Sequence, residues 1–232
     1  MALIAILRHA GATIMRAPLL WFFSAVVLLT STVPSMGLGG SLSWLECLSL
    51  LLIPITGLAE AGQIRSVQLC YEGTPTSISQ IIRHGAHRMG PLIVVLVINL
   101  LLMFILIVVL AIVARLLLQH VLSPDVAPPL LTIVSAITYA FTAFAQCAIV
   151  ISDLPLRSSL PMVFRVIKKE PLTILTLVTL VGVLSYFIGI LFPITPANFV
   201  HAAGYLLAFL ILGGIESTVF TFAYIYYAGE AN

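Results

Sequence analysis

Residues 91–118 read PLIVVLVINLLLMFILIVVLAIVARLLL, and between Pro91 and Arg115 the one polar side chain is Asn99. A helix that crosses a bilayer needs roughly 20 mostly apolar residues. At 1.5 Å per residue this run is roughly 40 Å long, more than a hydrocarbon core of about 30 Å. It is expected to span a membrane and to tilt or protrude. Five further apolar runs flank it, giving six expected spans at about 19–38, 42–62, 91–118, 130–151, 172–192 and 203–227. Gly37, Gly39 and Gly40 follow the first, Pro128 and Pro129 precede the fourth, and Pro171, Pro193 and Pro196 bracket the fifth. These are places where a helix start or end tolerates such residues. Pro54 lies inside the second run and predicts a kink there.

The composition agrees. Of 232 residues, 61% are hydrophobic and 8% charged, whereas soluble domains carry about 25% charged residues. The chain lacks the charge to cover a water-facing surface, which excludes a cytosolic enzyme, a secreted disulfide scaffold and a nucleic-acid reader. The expected fold class is all-α: one polytopic membrane domain over residues 1–232 with short connections. The first run follows Arg8 and Arg16 in the manner of a signal sequence, but no clean small-x-small cleavage site comes after it, so it is read as a retained span. Cys47, Cys70 and Cys147 form no C-x-x-C pair and are read as small apolar residues.

Charge placement sets the orientation. Arg8 and Arg16 precede the first run; Arg65, Arg83 and Arg88 lie between the second and third; Arg157, Arg165, Lys168 and Lys169 lie between the fourth and fifth. Only Arg115 falls on the other side, so nine of the ten Lys and Arg residues share one face. By the positive-inside rule both termini are expected in the cytoplasm. Trp44 at the outer boundary and Tyr224, Tyr226 and Tyr227 at the inner one fit aromatic belts.

The three cytoplasmic segments are alike. Ala5-Ile6-Leu7-Arg8-His9 leads to Pro18, Gln80-Ile81-Ile82-Arg83-His84 to Pro91, and Met162-Val163-Phe164-Arg165 to Pro171. Each precedes a pair of spans, which points to three repeats of amphipathic helix plus helical hairpin. Ser77 to Gln80 fits a capping box. Ile78, Ile81, Ile82, Gly85 and Met89 then fall on one helical face and Arg83, His84, His87 and Arg88 on the other. Leu160, Val163, Phe164 and Ile167 stand likewise against Arg165, Lys168 and Lys169. Such helices lie in the membrane interface. Their cations have two readings: contact with anionic lipid headgroups or a protein partner, or simple determinants of topology, the favoured one.

This arrangement resembles a superfamily of bacterial six-span proteins that includes the membrane domain attached to some glycerophosphodiester phosphodiesterases. The residues that carry it are Glu72-Gly73-Thr74-Pro75-Thr76-Ser77 leading into Ile81-Ile82-Arg83-His84-Gly85, and Leu156-Arg157-Ser158-Ser159 leading into Val163-Phe164-Arg165-Val166-Ile167-Lys168. Ala223-Tyr224-Ile225-Tyr226-Tyr227 is similar to the end of that domain. Where many relatives carry a proline-glycine break between spans three and four, this chain has Ser123-Pro124-Asp125-Val126-Ala127-Pro128-Pro129. The resemblance implies a fold and a bacterial-type inner membrane, and no activity.

Catalytic signatures are absent from the sequence: no H-E-x-x-H, G-x-S-x-G or P-loop occurs, and Asp125 and Asp153, the two aspartates, fall on opposite sides. His9, His84, His87, His120 and His201 lie at or outside the span ends, which disfavours paired haem ligation. No enzyme, metal or cofactor is expected.

The most informative residue is Glu216, midway along the sixth run in Leu212-Gly213-Gly214-Ile215-Glu216-Ser217-Thr218. An acid at a spanning helix centre costs roughly 2.5–3.5 kcal/mol, so it must be protonated, paired or facing a wet cavity. Asn99, Gln146 and Glu46 are its candidate partners, and Gly213 and Gly214 beside it allow close helix approach. So do the small-residue pairs Gly204 with Ala208 and Ala143 with Cys147. The expected function is a non-catalytic membrane module that contacts lipid or serves as a subunit of a larger complex or homo-oligomer; the alternative is a small transporter or permease component using Glu216. In the second case Glu216→Gln abolishes transport in a proteoliposome assay while the protein still folds; unchanged transport, or lost folding alone, refutes that role.

Overall fold

The structure is a computed structural model that describes residues 2–31, 43–75, 77–117, 127–191 and 199–229. Within these, side chains at 31, 43–51, 110, 111, 113–117, 127–134, 189 and 199–202 are not described. The side chains of Trp44, Glu46, Cys47, Arg115 and His201, and all of His120 and Asp125, therefore lie outside the described residues.

Among the described residues nine helices and no strand occur: α1 (Ala2–Ile14), α2 (Pro18–Ser31), α3 (Ser43–Tyr71), α4 (Ile78–His87), α5 (Met89–Leu117), α6 (Ala127–Val150), α7 (Leu156–Lys169), α8 (Pro171–Leu191) and α9 (Phe199–Gly229). α4, α5, α6 and α7, α8, α9 each run short, long, long; α1 and α2 have 13 and 14 described residues before the 29 of α3. Proline opens α2 and α8, where its missing N–H costs nothing. Ser77 caps α4, its Oγ accepting from the Gln80 amide at 3.3 Å. α3 runs unbroken through Pro54 and past residue 62, the expected end of the second span. It stops at Gly73, whose positive φ of 69° lets the Thr74 amide turn back to the Leu69 carbonyl (3.0 Å).

The packing has a definite order. α3, α6 and α9 touch one another and form the centre. Around them α2 lies against α3 and α9, α5 against α3 and α6, and α8 against α6 and α9. The short helices follow the same rotation: α4 packs on α3, α7 on α6 and α1 on α9. α1 and α2 meet at an elbow of 91°, fastened where the Trp21 indole N–H donates to the Ile14 carbonyl (3.2 Å).

Polarity is distributed inside out relative to a water-soluble protein. The centre buries Gln63, Ser66, Thr142, Gln146, Thr218 and Thr221, all 4% exposed or less, among Val67, Phe144, Ile149 and Phe220. α5 instead exposes Leu100, Leu101, Phe104 and Ile105, each more than half accessible. Apolar surface on this scale marks a face made for contact with a membrane or another protein.

By length and composition α5 (over Met89–Val109), α8 (over Pro171–Ile188) and α9 (over Ala203–Gly229) can cross a membrane, and the bent pair α1 and α2 makes a fourth candidate. This is three or four spans, not clearly the six expected. α3 is not among them: its second half carries Glu60, Gln63, Arg65, Ser66 and Gln68.

The tyrosine belt needs correcting too. Tyr224 and Tyr227 are core residues, 0% and 2% exposed, and only Tyr226 faces outward. Tyr224 is held inside by a hydrogen bond of 2.7 Å between its Oη and Ser152 Oγ. The short helices are likewise divided differently from expectation. α4 buries Ile81 and Gly85 and leaves Ile78 and Ile82 exposed; α7 buries Ser159, Met162, Val163 and Val166 and leaves Phe164 exposed. Each seats a narrow strip on its long neighbour, so part of its apolar face stays open.

Small residues matter where α2 meets α3. A Cβ on Gly62 would lie 2.5 to 2.7 Å from three ring atoms of Phe23, itself buried. At Gly213 nothing lies within 4 Å of such an atom. Gly62→Ala should therefore lower stability by about 1–3 kcal/mol through overpacking. Gly213→Ala should be neutral or slightly stabilising, since alanine favours a helix by about 1 kcal/mol over glycine. Thermal unfolding in detergent micelles separates the two.

Candidate functional site

Glu216 stands on α9 and Glu60 on α3, and both carboxyls line one cavity of about 310 Å³. Helices α2, α3, α6 and α9 wall it. Ser24, Gln63 and Tyr139 supply its other polar groups, and Val27, Leu28, Phe209 and Leu212 its apolar ones. No basic side chain is among the described lining. Glu60, Gln63 and Tyr139 also border a smaller void of about 10 Å³, closed by Gln146, Cys147, Ser217 and Thr221.

Each carboxyl has one described donor. Gln146 Nε2 donates to Glu60 Oε2 (2.5 Å), crossing from α6 to α3. Ser185 Oγ of α8 donates to Glu216 Oε1 (3.4 Å). Gln63 Nε2 donates to Ser24 Oγ (2.8 Å) and so links α3 to α2 along the cavity wall, and Thr56 Oγ1 donates to Thr30 Oγ1 (2.8 Å) between the same helices. Ser217 Oγ, on a residue 6% exposed, is buried with no hydrogen-bond partner among the described residues. It lies on the small void beside Glu60. The void is about the size of one probe sphere, the least that holds a water molecule.

The residues singled out from sequence divide accordingly. Glu216 is at the site. Gln146 is beside it but donates to Glu60, not to Glu216. Asn99 belongs to α5, is absent from the described lining, and keeps a buried Oδ1 without a partner among the described residues. Glu46 is outside the described side chains. Glu60, Gln63 and Tyr139 were not anticipated. Ending the second span at residue 62 makes Glu60 a boundary residue, whereas α3 continues for more than two further turns. The usable signal was Glu60 and Gln63, three apart on one face among Ala59, Ala61 and Gly62.

Gly214, expected to admit a neighbouring helix, does so: a Cβ there would meet the Trp21 ring at 3.0 Å. Ala143 and Cys147 are buried where α6 meets α9, with Cys147 Sγ 3.9 Å from Thr221 Oγ1.

The basic candidates also separate. His84 Nε2 donates to the Val150 carbonyl at the end of α6 (3.1 Å), and Arg88 forms an ion pair with Asp153 in the turn after α6. Asp153 has φ of 56°, so this turn is made tightly. These two residues tether α4 to that turn, while Arg83 and His87 are exposed. On α7, Arg165 and Lys168 are exposed, and Lys169 Nζ donates to the Tyr227 carbonyl (3.1 Å). Among the described residues no three His, Cys, Asp or Glu side chains gather as metal ligands would.

No protein-family model, curated protein or solved structure matches the chain. The site therefore has to be read from its own chemistry. Two acids, a tyrosine, a serine and one amide around a partly apolar space suit a cation with an apolar body. The carboxyls supply charge, Tyr139 and Phe209 supply ring faces, and the aliphatic wall excludes water.

The bond between Glu60 and Gln146 can be weighed directly. Gln146→Leu leaves a buried carboxyl without its donor and should cost about 1–3 kcal/mol. Adding Glu60→Leu removes both partners and should recover much of that loss. A double-mutant cycle by thermal unfolding reads the coupling.

Proposed function

We propose that this chain is a small transporter or permease component whose working site is the cavity between Glu60 and Glu216, and that its substrate is a small organic cation. One observation carries the reading: carboxyls from two different helices face the same cavity with no basic residue in its described lining. An intramembrane acid is expensive to insert and is by default a functional group. Two of them converging on one space is more than helix packing requires. A volume near 310 Å³ lies at the lower end of small-ligand pockets, about 300–1,000 Å³.

The wider arrangement is part of the same proposal. The protein has six spans, α2, α3, α5, α6, α8 and α9, organised as three repeats of a short interfacial helix followed by a hairpin. The rotation of contacts around α3, α6 and α9 supports this, because each short helix and each outer helix occupies an equivalent place. The repeats all start on one side and are parallel, unlike the inverted repeats of many transporters. The positive-inside distribution of Arg and Lys supports cytoplasmic termini in a bacterial-type inner membrane, and the resemblance to the six-span superfamily belongs with this reading. The chain acts without catalysis. The runner-up, a lipid-contacting module or subunit, draws on the exposed cations of α7 rather than on the cavity.

Proteoliposomes loaded with radiolabelled tetraethylammonium provide the test. Wild-type protein should release the label faster than empty vesicles, and Glu60→Gln or Glu216→Gln should each reduce that release at least tenfold with folding intact. Release equal to that of empty vesicles, or undiminished in both variants, overturns the proposal.

A further inference from the structure

One face of α7 bears an open groove of about 880 Å³ that the central site does not use. Arg157, Leu160, Pro161, Phe164, Arg165 and Lys168 line it, with Lys169 at its end. The spacing is helical: 157, 161, 164 or 165, and 168 succeed one another along a single stripe. Arg157, Arg165 and Lys168 make no hydrogen bond or ion pair among the described residues. They differ in this from the basic residues of α4, where His84 and Arg88 are taken up by the Val150 carbonyl and Asp153. Glu170, the nearest acid in sequence, lies outside the groove and accepts from Thr173 Oγ1 (3.3 Å).

The apolar residues decide what kind of partner fits. Phe164 is 55% exposed although its ring meets Phe141 of α6 edge to face at 5.6 Å between centroids. A cation cluster alone suits any anion. Cations interleaved with an exposed aromatic ring, a leucine and a proline suit an anion that carries a hydrocarbon body. The stripe also sits beside helices able to span a membrane, since α7 contacts both α8 and α9. We propose that this face of α7 binds an anionic phospholipid: the phosphate meets Arg157, Arg165 and Lys168, and the start of the acyl chains rests on Leu160 and Phe164. Guanidinium groups pair with phosphate through two parallel hydrogen bonds, and lysine adds a point charge. The proposal is independent of the cavity, and either can fail without the other.

The full-length protein in nanodiscs made from equal parts of phosphatidylglycerol and phosphatidylcholine provides the test, with retained lipids counted by native mass spectrometry. Wild type should keep phosphatidylglycerol in preference to phosphatidylcholine. In R157Q/R165Q/K168Q the preference should fall roughly fivefold per cation removed, which is about 1 kcal/mol each. R157K/R165K keeps the charge and should retain most of the preference, and R8Q/R16Q, altered on α1 instead, should match wild type. Circular dichroism checks that each variant is folded; if the triple variant is not, R165Q alone against R8Q gives the same comparison. Retention at the mixing ratio in wild type, an equal fall in the α1 variant, or a stoichiometric protein found on α7 in place of lipid overturns the proposal.

Discussion

A polar group has no water to turn to inside a bilayer, so each one must be satisfied within the protein or sit in a wet cavity. The architecture follows from that constraint. Backbone groups are consumed by helices, and polar side chains turn inward: Gln146 links α6 to α3 through Glu60, and Gln63 with Ser24 and Thr56 with Thr30 link α3 to α2. α5 carries little besides Leu, Ile, Val and Met and leaves many of them exposed. The same constraint makes the two central carboxyls informative. Each is costly to hold there, and each is held by a single described donor while facing open space.

Helical class was legible because α5 stays apolar, Asn99 apart, from Pro91 to Ala114, well past the roughly 9–11 residues of a membrane-spanning strand. The division into short and long helices was legible as well, because proline and charge punctuate the chain at the same places. The partition of helix faces was not. Period alone assigns Ile78, Ile81 and Ile82 to one side, but a short helix seats only a strip on its neighbour, here Ile81 and Gly85, and leaves the rest exposed. Tyr224 and Tyr227 were misread for a related reason. A tyrosine near a helix end suits an interfacial belt, yet tertiary partners such as Ser152 can draw it inward, and no local pattern reports a partner 72 residues away.

The candidate site was half legible. Glu216 is conspicuous because it interrupts an apolar run at its midpoint. Glu60 is equally central in space but lies at an apparent boundary in sequence, where polar residues from 60 to 68 suggest water. In fact that polarity belongs to the bundle interior. Hydropathy measures the average character of a stretch and does not tell polar residues buried in a bundle, such as Gln63, Ser66 and Gln68, from polar residues in water. Pairing across helices, as between Glu60 and Gln146, depends on a crossing that sequence periodicity does not encode.

The seating of α1 on α9 gives the assembly an order in time. α4 and α7 dock on long helices that precede them in the chain, whereas α1 docks chiefly on α9, which begins at Phe199. Its buried strip of Ile6, Ala10 and Thr13 is therefore covered by residues made long after it. The seat of α1 is a contact of very long sequence separation, the kind whose loop-closure cost slows folding.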